Sequence, residues 1–118
     1  MSQFELIFFP LPESTFGWSS EAFFLWEARL NGIIIDAINT RMTLTFFYNG
    51  ESREVEPHCY GLDNNGHEAL RAFQINKGWR MFHVSEIAGL RGGGRHFSGP
   101  RPGYAPGDSH MAQIFAQI

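Results

Sequence analysis

The sequence predicts a mainly β protein with flanking helices, organised around a small antiparallel β-barrel of the SH3 or Sm kind. Three observations carry that expectation. Between residues 42 and 84 the apolar side chains recur with a period near two, the pattern of half-buried strands. Clusters of turn-forming residues, Asn49-Gly50, Asp63-Asn64-Asn65-Gly66 and Asn76-Lys77-Gly78, cut this stretch into runs of strand length. Short strands joined by tight turns form a meander, and a small twisted meander hides its edges by closing on itself.

Taken in chain order, Phe4-Glu5-Leu6-Ile7-Phe8-Phe9 reads as an edge strand and Pro10 to Trp18 as a loop. Ser19 or Ser20 then caps a helix that carries Phe23, Phe24, Trp26 and Leu30 as an apolar stripe. Asn31-Gly32 should break or kink it, and a second short helix runs from Ile33 to Thr40, burying Ile34, Ile35 and Ile38. Met42 to Tyr48 is the first strand of the meander. Asn49-Gly50 turns it, because both residues tolerate positive φ. The return strand, Arg53 to Tyr60, puts Arg53, Val55 and Pro57 on one face and Glu54, Glu56 and His58 on the other. Pro57 cannot donate to a ladder and marks an edge, bulge or strand end. Ala69 to Ile75 and Trp79 to Val84 complete the meander.

Residues 91–107 read as a loop rich in Gly and Pro, yet they carry Arg91, Arg95, His96, Phe97, Arg101 and Tyr104, more chemistry than a spacer needs. After Asp108, the spacing of Met111, Ile114, Phe115 and Ile118 predicts a short amphipathic helix capped by Asp108 or Ser109. The whole reads as one domain over 1–118. Its parts are a strand and helical segment (1–41), a barrel core (42–90), and a loop with a C-terminal helix (91–118).

Composition narrows the class. A chain of 118 residues has room for one hydrophobic core, and at 43% hydrophobic and 15% aromatic it has ample area to fill it. Only 18% of residues are charged, which argues against disorder and suggests apolar surface that meets a partner or a second copy. Cys59 is the single cysteine, so no internal disulfide forms. The start of the chain lacks a basic segment, and no apolar run approaches the roughly 20 residues of a membrane span. A cytoplasmic location without membrane contact is the expectation. The net charge of −3 is unevenly spread: residues 1–68 hold three basic and ten acidic side chains, residues 69–118 six and two. Eight of the nine basic residues are Arg, whose planar fork suits phosphate, carboxylate or base edges.

A Thr40-Arg41 pair closing a helix, then LTFFY (44–48), REVEP (53–57), LRAFQ (70–74) and WRMFHVSEIAGL (79–90), follows the block order of WYL domains. The chain resembles that family over residues 33–90. The tail from Arg101 to Ile118 is similar to extensions of short stand-alone bacterial or phage members. The resemblance implies a five-stranded SH3- or Sm-like barrel that senses a nucleotide or nucleic-acid fragment, usually behind a helix-turn-helix domain in a transcription factor. Tyr48, Arg53, Pro57 and Arg80 match positions the family tends to keep. The three residues that name the family fall at Glu68-Ala69-Leu70, where only Leu70 matches, and no stretch here has the length of a winged helix-turn-helix.

The candidate ligand-binding residues are Tyr48, Arg53, His58, Tyr60, Arg71, Arg80 and Arg95. Arg53, Arg71 and Arg80 come from three successive strands, and neighbouring strands lie about 4.8 Å apart, so the three would meet a phosphate if their registers converged. The alternative is cross-strand pairing with Glu54, Glu56 and Glu68. Tyr48, Tyr60, Phe73 and Trp79 offer faces for base stacking, or else fill the core.

Metal and cofactor sites are not expected. His58 and Cys59, adjacent on a strand, point to opposite faces, and His67, His83, His96 and His110 have no ligand spacing. Gly92-Gly93-Gly94-Arg95 lacks the ending of a P-loop. Glu56 and His58, two apart on one face, are the only pair that suggests acid–base chemistry, and no enzyme is expected. Cys59 should be structural and inert. The reading that emerges is a regulatory module binding an anionic ligand, a nucleotide or single-stranded nucleic acid. The alternative is a module for protein–protein contact or homo-oligomerisation.

Overall fold

The computed structural model describes residues 31–118, so the expected strand at Phe4–Phe9 and the helix after Ser19 lie outside the described residues. The chain divides into two compact units, and the second, Gly32–Ile118, is the one described below.

Residues 32–40 of this unit are helical, α1, so the helix expected from Ile33 is already formed at Gly32. Its end has a local cause. Arg41 adopts φ 57°, the left-handed conformation that stops helices, while Thr40 Oγ1 donates back to the Asp36 carbonyl at 2.7 Å.

Six strands follow: β1 (Met42–Tyr48), β2 (Glu51–Asp63), β3 (Glu68–Gln74), β4 (Gly78–His83), β5 (Ala88–His96) and β6 (Met111–Gln117), with a 3₁₀ turn at Val84–Glu86. They make one antiparallel sheet in the order β4-β3-β2-β1-β5, with β6 also paired to β2. The protein is therefore mainly β with one short helix among the described residues, and the sheet is not closed. None of its described helices is long and apolar enough to cross a membrane.

The first three turns form where the turn residues stand. Asn49 (φ 53°) and Gly50 (φ 78°) take the paired positive φ of a type I′ turn, and Asn76 (φ 69°) and Gly78 (φ 102°) serve the β3–β4 turn.

The last third of the chain departs from expectation twice. Ala88–His96 is a strand where a loop from residue 91 was expected. Its glycines serve the ladder: a Cβ on Gly93 would collide with the Thr43 hydroxyl, and Gly94 sits at φ 81°. Met111–Gln117 is a strand where the spacing suggested a helix. The physical reason lies in β2. That strand is 13 residues long; β1 pairs with it only from Glu51 to Val55, leaving the same edge open from Cys59 to Asp63. An open ladder satisfies the backbone of the tail, whereas a helix of so few residues is marginal in isolation. Close approach at Gly61 permits the pairing, since a Cβ there would strike the Gln113 carbonyl.

The two faces of the sheet follow from its register. Leu44, Phe46, Val55, Tyr60, Leu70, Ala72 and Phe82 face α1 and, with its Ile34, Ala37 and Ile38, form the main core. Phe82 meets Phe46 and Tyr48 edge-on at 5.0 and 4.9 Å between ring centres. The opposite face carries a smaller apolar cluster of Cys59, Ala69 and Met111, with Met81, Tyr104 and Ile114 against it.

Candidate ligand-binding site

β2 bends where it changes partners. Pro57 lies opposite Ala72 and Cys59 opposite Arg71, so His58 is the extra residue of a bulge, next to the proline that cannot donate. The bulge turns His58 outward, under the segment 97–110 that crosses this face as a strap.

His58 is fully buried and both ring nitrogens are occupied. Nδ1 lies 2.8 Å from the Glu56 carbonyl and Nε2 lies 3.1 Å from the Arg101 amide. A carbonyl only accepts and an amide N–H only donates. Nδ1 therefore carries the proton and Nε2 is bare, which is a neutral ring. Burial lowers its pKa accordingly, against the raising effects of the Glu56 carbonyl and carboxylate. Phe97 stacks on the ring at 5.6 Å, and Trp79 and Tyr104 meet it edge-on at 4.7 and 5.0 Å.

The strap is pinned by polar contacts. Arg101 donates Nε to Glu56 Oε1 at 2.7 Å and an Nη to Oε2 at 3.0 Å, with its guanidinium 4.4 Å from the Phe73 ring centre. Trp79 Nε1 donates to the Pro102 carbonyl at 3.0 Å, and Tyr104 stacks on Trp79. Arg71 Nε donates to Asp108 Oδ2 at 2.7 Å, and the His110 amide donates to Asp108 Oδ1 at 2.9 Å. Burial alone would raise the Asp108 carboxyl, but these hydrogen bonds and the Arg71 charge bring it down to about 2. Burial, and then the nearby Cys59 and Asp108, push the Tyr104 phenol up to about 12.

The strap is flanked by two clefts. One of about 520 Å³ is lined by Thr43, Glu56, Arg95, His96, Phe97 and Arg101, among others. The other, of about 370 Å³, lies between Arg71, Trp79, Tyr104, Asp108 and His110.

The seven residues singled out in the sequence separate under this geometry. Tyr48 and Tyr60 belong to the core side: the Tyr48 hydroxyl accepts the His83 amide at 3.1 Å, and the Tyr60 hydroxyl donates to Glu68 at 2.9 Å. Arg53, only 7% exposed, donates to Gln74 Oε1 and the Tyr48 carbonyl and lies over the Tyr48 and Phe82 rings. Arg80, opposite Ala72, shares that face but is exposed. Arg71 points to the other face, so Arg53, Arg71 and Arg80 do not converge. Of the seven, only Arg95 lines the larger cleft; it grips Glu54 through two bonds of 3.0 and 2.9 Å. His58 lies beneath the strap, and Arg71 walls the smaller cleft.

Glu56 and His58 do not form an acid–base pair, because the carboxylate turns to Arg101 and the ring uses the Glu56 backbone. Cys59 is fully buried, and burial pushes its thiol up to about 11 even with Arg71 opposite on β3. The residues absent from the candidate set are Glu56, Phe97, Arg101 and Tyr104. For Phe97, Arg101 and Tyr104 the signal was the density of Arg and aromatic side chains in a segment otherwise made of Gly and Pro; Glu56 stood out only beside His58.

No family model matches this chain, and no curated protein or solved structure does either.

Proposed function

We propose that the domain is a non-catalytic binding module whose ligand is a nucleotide or a short single-stranded nucleic acid, on a curled sheet of the SH3-like kind that the WYL resemblance implies. The observation that carries this reading is the cleft of about 520 Å³, a size that suits a ligand of that class. Arg95 and Arg101 stand beside Phe97 in its wall, which supplies charge for a phosphate and a ring face for a base. Their carboxylate partners, Glu54 and Glu56, hold each guanidinium fork in place; Arg95, 60% exposed, is the one a phosphate can take over from its carboxylate.

The test is titration of a labelled oligonucleotide, and separately of a mononucleotide, into wild type and Arg95→Ala at two salt concentrations. Binding should weaken about tenfold in the variant, the scale of one charge-assisted contact, and fall as salt rises. Wild type that binds neither probe at low salt overturns the reading.

One observation favours the alternative of an interaction module or homo-oligomer. Phe47 and Phe115 are 48% and 41% exposed, large apolar side chains with surface to spare for a partner. Light scattering that gives a dimer mass for wild type and a monomer for Phe47→Ser would put that alternative first.

A further inference from the structure

The fold brings together three donor groups that lie apart in the sequence. Asp63 ends β2, His67 closes the β2–β3 turn, and His83 ends β4, placed beside them by the pairing of Ala69 with His83. One ligand atom from each lies within 4.8 Å of the other two. We propose that Asp63, His67 and His83 form a site for a divalent transition metal of the zinc class.

The donor chemistry selects the class. Two imidazoles and one carboxylate suit Zn²⁺ and its neighbours, whereas Mg²⁺ and Ca²⁺ require a shell of oxygens. The carboxylate is built in advance. Its Oδ1 accepts the Asn65 and His67 amides, each at 2.9 Å, which fixes the plane and leaves Oδ2 for a ligand bond. The turn behind it is closed by the Asp63 amide on the His67 carbonyl at 2.8 Å and by Gly66 at φ 82°.

His83 is held through its backbone amide on the Tyr48 hydroxyl, so its ring projects from a fixed point. The two imidazoles stand edge to face, 5.8 Å between centres. Asp63 Oδ2 and His67 Nδ1 are 3.9 Å apart, too far for a hydrogen bond. Donors on a tetrahedral Zn²⁺ with bonds near 2.0–2.1 Å sit about 3.4 Å apart, so a shift on the order of 1 Å completes the site. His67 can supply it, because its side chain is 67% exposed and moves without disturbing packing. Three protein donors leave a coordination position for water. A bound ion would tie the β2–β3 turn to the end of β4.

The experiment titrates Zn²⁺ and Co²⁺, each as the metal alone, into the metal-free full chain by calorimetry and absorption. One equivalent should bind, Co²⁺ should show the visible bands of a low-symmetry N/O site, and Zn²⁺ should raise the melting temperature. His67→Ala keeps the fold, because the ring is exposed, and should weaken binding at least as much as the roughly tenfold that loss of an outer-shell partner costs. Asp63→Asn and His83→Ala should do the same, while His96→Ala and His110→Ala should bind as wild type does. Absence of saturable binding at millimolar Zn²⁺ overturns the proposal, as does affinity unchanged in His67→Ala. Affinity lost only in His110→Ala also overturns it.

Discussion

On the side facing α1, the sheet meets Ile34, Ala37 and Ile38 with Leu44, Phe46, Leu70 and Phe82, all 6% exposed or less. On the other side the strap meets it through Arg101–Glu56, Arg71–Asp108, the Trp79 indole and the His58 ring. One face is held by apolar area and close packing, which respond little to pH or salt. The other is held by directed bonds between charged or titratable groups, which respond to both. The lesson is a division of labour: the α1 side sets whether the domain folds, and the strap side sets how its clefts answer their surroundings.

The sharpest break of this comparison is Phe82→Ala. It removes a ring that is 1% exposed and contacts Phe46 and Tyr48, and should cost about 3–5 kcal/mol. Denaturant melts should show that loss unchanged between low and high salt.

Next in size is Asp108→Asn, which leaves Arg71 without its carboxylate and should cost about 1–3 kcal/mol, less at high salt. Acid titration gives the same contact a second reading. Because the Asp108 carboxyl is held at about 2, below its ordinary value of 3.8, its stabilisation is complete above that value. It is lost as pH falls from there through about 2, and Asp108→Asn should remove that part of the acid transition.

A smaller effect comes from His58. Its pKa is lowered in the fold, so the unfolded chain takes up the proton first. Stability should therefore begin to fall as pH drops below the ordinary histidine value of 6.5 and continue until the folded ring itself protonates. A protonated Nε2 can no longer accept the Arg101 amide, so strap amides should lose protection, measured against their intrinsic exchange rates, as the folded ring protonates below 6.5. Strap protection that stays flat throughout the acid range below 6.5 would remove the distinction between the faces on this count.

The least effect is expected at Cys59. Buried and with its thiol pushed up to about 11, it should react with a disulfide reagent only as fast as the strap face opens. Labelling at the rate of a free thiol would mean that the face is open in the native state.

The meander was legible because its signals are local. Met42–Tyr48 alternates, and Asn49-Gly50 supplies the backbone its turn needs. β5 was hidden because glycines usually mark loops, while here they let β5 approach Thr43. β6 was hidden because Met111, Ile114, Phe115 and Ile118 happen to fit a helix; the open edge of β2 that overrides the spacing is a tertiary fact. The same holds for the site. The Arg and aromatic residues of 91–107 stood out in the sequence, but which carboxylate each Arg would meet depends on register, and Glu56–Arg101 and Arg71–Asp108 join distant segments. Asp63, His67 and His83 have no recognisable spacing, because the turn and the β3–β4 pairing together make the cluster.

The two partners that share one edge of β2 impose an order on folding. β1 meets β2 across a two-residue turn, so that hairpin closes quickly at little entropic cost. β6 must bring Gln117 to Cys59 from the far end of the chain, a contact of high sequence separation that forms slowly. The upper half of β2 should therefore gain exchange protection before the lower half. Until the tail arrives, the amides and carbonyls from Cys59 to Asp63 form an unpaired strand edge, the place where a second chain would add itself first.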